Sequence, residues 1–100
     1  METFRELALG YENATEEPHF EKVSYRLKNK IFATLDLQAR TAVVKLTLEQ
    51  QAAVLEEHPD SSLPVKGAWG KKGWTSIDLN LISQQSMAQL LRLAYFNVKG

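Results

Sequence analysis

The side chains best suited to chemistry are cations and a tryptophan. Arg26, Lys28, Lys30 and Lys45 lie within an alternating stretch from Phe20 to Leu46, and Lys71, Lys72 and Trp74 lie within Gly70-Lys71-Lys72-Gly73-Trp74. Lysine and arginine neutralise phosphates, arginine also reaches a base edge, and a tryptophan ring stacks on a base. The set therefore fits contact with nucleic acid. Val23, Tyr25 and Leu27 alternate with Lys22, Ser24, Arg26 and Lys28. Successive strand side chains point to opposite faces, so the spacing predicts one apolar and one cationic sheet face. Lys30 with Phe32, and Lys45 with Val43, are expected on the cationic face of the next two strands. Trp74 alternates with Ser76 and Asp78 and is expected on that face too. Trp69 is expected in the core, because a chain of this size needs large side chains to bury. The competing account is that lysines only keep a solvent face soluble and blunt unwanted strand pairing.

Other chemistries find less support. His19 and His58 each stand beside a proline, with no second ligand at a fixed helical spacing. No nucleophile elbow, phosphate-binding loop or dinucleotide fingerprint surrounds the serines and glycines. Gly67, Gly70 and Gly73, three residues apart, read as turn glycines. No catalytic residue, metal or cofactor is expected, and the chain reads as non-enzymatic. Near the amino terminus Arg5 alone stands against Glu2, Glu6, Glu12, Glu16 and Glu17. These glutamates lack a compact ligand pattern, but with the sheet face they supply the alternative function: docking an unknown protein partner.

Twelve basic and twelve acidic side chains cancel, so the chain as a whole is not drawn to a polyanion. One hundred residues, 44% hydrophobic and 24% charged, suit a single domain with one modest core. No apolar run approaches the roughly 20 residues needed to cross a bilayer, and Met1-Glu2-Thr3-Phe4-Arg5 is unlike a leader. The absence of cysteine excludes disulfides and fits the reducing cytoplasm, which is the expected location.

The elements that must position these residues follow from periodicity and breakers. Phe4, Leu7 and Ala8 before Gly10 predict a helix over residues 2–9, and Tyr11 to Pro18 reads as a loop. Strands are predicted over 20–28, from Lys30 to near Gln38-Ala39, and over 40–46, the first two joined by a tight turn at Lys28-Asn29-Lys30. Thr47 and Gln50 have capping-box spacing for a helix over 48–57, which His58-Pro59-Asp60 ends. Strands over 63–69 and 74–81 should flank Gly70-Lys71-Lys72-Gly73 as a second hairpin. Ser83 can cap a last helix carrying Met87, Leu90, Leu91, Ala94, Tyr95 and Val98 as one stripe. The expected fold is α+β and two-layered: an antiparallel five-stranded sheet with helices on one face, in the order α-β-β-β-α-β-β-α.

That order, with Glu17-Pro18-His19-Phe20, Lys30-Ile31-Phe32-Ala33, Val44-Lys45-Leu46, Gly73-Trp74 and Leu90-Leu91-x-x-Ala94-Tyr95, resembles the MmcQ/YjbR family over nearly the whole chain. The resemblance implies a small bacterial cytoplasmic protein, a fold grouped beside the frataxin-like (CyaY-like) architecture, and a predicted DNA-binding role through a double-wing motif. The two hairpin tips, Asn29-Lys30 and Lys71-Lys72, would then serve as wings.

Overall fold

The computed structural model describes residues 2–100. Met1 and the side chain of Glu2 lie outside the described part, so the expectations for Met1-Glu2 and for Glu2 within the acidic amino-terminal group fall outside the described residues. The chain runs α1 (Glu2–Leu9), β1 (Ala14–His19), β2 (Lys22–Leu27), β3 (Lys30–Asp36), β4 (Thr41–Lys45), α2 (Leu48–Glu57), β5 (Ser62–Pro64), α3 (Ala68–Lys71), β6 (Trp74–Asp78) and α4 (Gln84–Lys99). All strand pairs are antiparallel, and the order across the sheet is β1-β2-β3-β4-β6-β5.

The sheet therefore has six strands where five were expected. The additional one is β1, which occupies the expected loop and pairs Pro18 with Val23. A proline lacks a ladder donor, but an outermost strand leaves half its donors unpaired anyway. The strand expected to begin at Phe20 begins at Lys22, because Phe20 and Glu21 form the β1–β2 turn. On the opposite margin, β5 has only three residues and ends at Pro64, and α3 replaces the expected loop of the second hairpin.

One sheet face is buried under helices. Phe4 and Ala8 of α1 and Met87, Leu90, Leu91, Ala94 and Tyr95 of α4 pack with Tyr25, Leu27, Leu35, Val44 and Ile77 of the strands. Phe4 meets Tyr25 edge to face at 5.8 Å, and Tyr11 stacks on Tyr95 at 4.5 Å. That burial pushes the Tyr11 phenol above its ordinary range, with Arg92 pulling weakly the other way. α2 carries the expected capping box: the Thr47 hydroxyl accepts from the Gln50 amide, and the Gln50 side chain accepts from the Thr47 amide. Ser83 caps α4 by accepting from the Ser86 amide at 3.1 Å. Among the described residues no helix is long and apolar enough to cross a membrane.

A β-bulge redistributes side chains between the faces. Tyr25 pairs with Ala33 but Arg26 pairs with Ile31, so Phe32 is an extra residue on β3. The shift turns Phe32 inward, where it is fully buried and meets Tyr95 edge to face at 5.5 Å. Ile31 goes to the open face instead, and Lys30 joins Leu27, Tyr95 and Val98 around a hollow at the helix side. The expected exposed positions of Lys30 and Phe32 are corrected accordingly, because one inserted residue reverses facing for the rest of a strand.

The turns hold unusual backbone. Lys28 and Asn29 both have positive φ, 51° and 68°, the pattern of a two-residue I′ hairpin. Phe20 has φ 59°. A bulky residue held there costs roughly 1–2 kcal/mol relative to glycine.

Candidate nucleic-acid interface

The face not covered by helices is built from alternate residues of the strands. Ser24 and Arg26 come from β2, Ile31 and Thr34 from β3, Val43 and Lys45 from β4, and Trp74, Ser76 and Asp78 from β6. Ile31, Thr34, Val43, Val65, Trp69 and Trp74, with His19 and Lys22 at the far margin, line a shallow depression of about 310 Å³. Residues near opposite sheet edges share this hollow, so the face is concave.

Its chemical centre is a tryptophan pair. Trp69 and Trp74 meet edge to face with centroids 5.8 Å apart. The Lys45 ammonium lies 5.4 Å from the Trp74 centroid and the Lys72 ammonium 5.8 Å from that of Trp69. Lys45 also donates to the Lys72 carbonyl at 2.8 Å, so β4 and the end of α3 are tied together beside the rings. Trp69 is 60% exposed, which corrects the expectation that it is core. The reason lies next to it: Gly70 is the residue that packs inward, and a Cβ there would collide with the Val65 carbonyl oxygen. The tryptophan is thereby turned outward over the sheet.

Two further contacts fix this corner. Gly73, at φ 103°, sits so close to the Leu46 carbonyl that no Cβ fits. The buried Gln51 amide nitrogen reaches the Gly70 carbonyl at 3.1 Å, the Trp74 carbonyl at 3.2 Å and the Thr75 hydroxyl at 3.2 Å. α2 thus holds α3 and β6 in register.

Charge on the face is polarised. Lys45 pairs with Trp74 at one end of β4 and β6, while Asp36 and Asp78 flank Thr41 at the other. Arg26 lies on the face, but its Nε donates to the Ser24 hydroxyl at 2.9 Å and stands 3.8 Å from the Glu17 carboxylate on β1. Glu16, on the helix side of the same strand, accepts from Arg5 at 2.8 Å and from the Tyr25 hydroxyl at 3.0 Å.

Of the residues singled out in the sequence, Lys45, Lys72 and Trp74 come together. Arg26 shares their face but is engaged by Glu17. Lys71 is exposed at the end of α3, beside this group. Lys28 and Lys30 line a separate hollow of about 210 Å³ with Lys99, Glu12 and Tyr95. Sequence reasoning missed Trp69, Val65, His19 and Lys22 as neighbours of Trp74. The twist and curl that bring opposite sheet margins to one hollow leave no local signal, although Trp69 and Trp74 lie only five residues apart. Among the described residues, no group of three or more His, Asp or Glu side chains is placed to hold a metal ion.

Comparison with solved structures gives the crystal structure of Deinococcus radiodurans protein DR2400, which carries the family-model domain DUF419. The two superpose with a TM-score of 0.83 at 21% identity, over 95% of this chain and 75% of that one. No curated protein matches the chain. A family model described as YjbR matches residues 9–96, which takes in every strand, the tryptophan pair and all but the end of α4. The match spans the whole stretch from Glu17 to Tyr95, and the chain belongs to the YjbR family.

Proposed function

We propose that the chain is a small, non-enzymatic, cytoplasmic protein that binds single-stranded nucleic acid, with DNA as the first ligand to test, on the open face of its sheet. The observation that carries this reading is the Trp69–Trp74 pair with a lysine ammonium over each ring. A tryptophan face stacks on any base, and the ammonium now over each ring is close enough to turn aside and meet a phosphate as a base takes its place. Arg26 is engaged by Glu17 and Lys28 and Lys30 lie elsewhere, so the reading rests on stacking with few phosphate contacts. A concave apolar floor suits unpaired bases better than the convex outline of a duplex. The helices on one side of an antiparallel sheet support the CyaY-like grouping that the family resemblance implies.

Titration with a short oligodeoxythymidine at low salt, followed by tryptophan emission, tests the reading. Quenching is expected, with affinity falling with salt at a log-log slope of about −0.7 per neutralised phosphate. Lys71→Ala with Lys72→Ala should flatten that slope, and Trp74→Ala should weaken binding by about 1–3 kcal/mol. Absence of binding at low salt removes the proposal.

A second reading, a docking face for a protein partner, is favoured by the aliphatic floor of Ile31, Val43 and Val65 beside the exposed Leu63. It predicts a salt-tolerant complex, lost on Trp74→Ala and little changed by the lysine pair.

A further inference from the structure

The β1–β2 turn carries an aromatic that the fold does not use. Phe20 is 94% exposed, and its ring meets that of His19 edge to face, with centroids 5.1 Å apart. Its φ of 59° lies in the left-handed region, where a two-residue hairpin ordinarily places glycine or asparagine. The residue therefore costs stability through its backbone and recovers almost nothing by burial. Strained positions of this kind cluster where a ligand is held. The placement points the same way, because the residues on either side of the turn, His19 and Lys22, line the depression that Trp69 and Trp74 close from the opposite margin. His19 and Lys22 also shape, with Phe20 and Glu21, an open hollow of about 470 Å³ around the turn itself.

We propose that Phe20 is a third stacking residue for a single nucleic-acid strand that crosses the open face from the tryptophan pair to the β1–β2 turn, with Lys22 meeting a phosphate on the way. The inference rests on the reading of the open face as a nucleic-acid site, and it adds a footprint: the bound strand is longer than the bases that the two tryptophans take. An exposed ring can stack on every kind of base, whereas a methyl or hydroxyl at the same place cannot.

The experiment compares the full chain with Phe20→Asn and Phe20→Tyr, using a dithymidine and an oligodeoxythymidine of about ten nucleotides, a length within the site sizes of such surfaces. Asparagine tolerates positive φ and removes the ring; tyrosine keeps the ring. For Phe20→Asn the longer strand should bind roughly 5- to 100-fold more weakly, with dithymidine affinity unchanged and melting temperature equal to or above that of the parent. Phe20→Tyr should retain parent affinity for both. If the parent binds both strands and Phe20→Asn binds them equally well, the Phe20 inference fails while the tryptophan site stands. If the parent binds neither, both fall together. A melting temperature several degrees lower in Phe20→Asn would mark the ring as a structural element and overturn the inference. So would binding to vesicles of anionic phospholipid that Phe20→Asn abolishes while oligonucleotide affinity is untouched.

Discussion

The Glu17 carboxylate lies 3.8 Å from the Arg26 guanidinium, across the β1–β2 pair on the open face of the sheet. The same guanidinium donates to Ser24, so the arginine of this face is turned along the sheet and not offered outward. Replacing Glu17 by Gln should leave the fold intact, since a partly exposed pair contributes only about 0–1 kcal/mol. It should also free one positive charge for a phosphate. Oligonucleotide affinity at low salt is expected to rise, and the log-log salt slope to steepen by about 0.7. An unchanged slope in the Glu17→Gln titration would show that Arg26 is not within reach of the bound strand.

Gly73→Ala should be among the most damaging single substitutions in the chain. It forces a side chain into left-handed backbone and drives a Cβ against the Leu46 carbonyl, for a loss of roughly 2–4 kcal/mol in urea unfolding. Because the displaced backbone leads directly into Trp74, the near-ultraviolet circular dichroism of the tryptophan pair should weaken as well.

Gln51→Leu keeps the approximate volume but leaves the Gly70 and Trp74 carbonyls and the Thr75 hydroxyl without this donor. A loss of about 1–3 kcal/mol is expected. Hydrogen exchange should quicken in α3 and at the start of β6 and remain near parent rates in α4. Uniform quickening across the chain would instead mark Gln51 as part of the general core.

Burial holds the Tyr11 proton more tightly in the folded chain than in the unfolded one. Its contribution is therefore complete below a pH of about 10 and is lost as pH rises through the elevated folded value. Wild type should lose stability relative to Tyr11→Phe above that pH, and the two should run parallel between about pH 7 and 9. Urea unfolding at each pH measures the difference directly.

The parts of the fold that were legible in the sequence are those fixed by local chemistry. Thr47 with Gln50 announces α2, Ser83 with the stripe from Met87 to Val98 announces α4, and Asn29 announces a turn that needs positive φ. β1 was hidden because Glu16-Glu17-Pro18 has neither apolar alternation nor a full set of donors, and a marginal strand needs neither. Lys30 and Phe32 changed faces because the bulge is decided by how Phe32 packs on Tyr95, a contact 63 positions away in the chain. Trp74 lies on the open face because it follows strand alternation. Trp69 does not, since its direction is set by the close approach of Gly70 to Val65 across the β5–α3 connection.

Both outermost strands carry a proline, Pro18 in β1 and Pro64 in β5. A strand arriving from another molecule would meet an interrupted row of amides whichever border it tried, so the protein is a poor template for fibres or exchanged ribbons. Growth sideways is discouraged in both directions. The broad open side of the sheet, where the indole rings stand, carries no such proline interruption of an amide row.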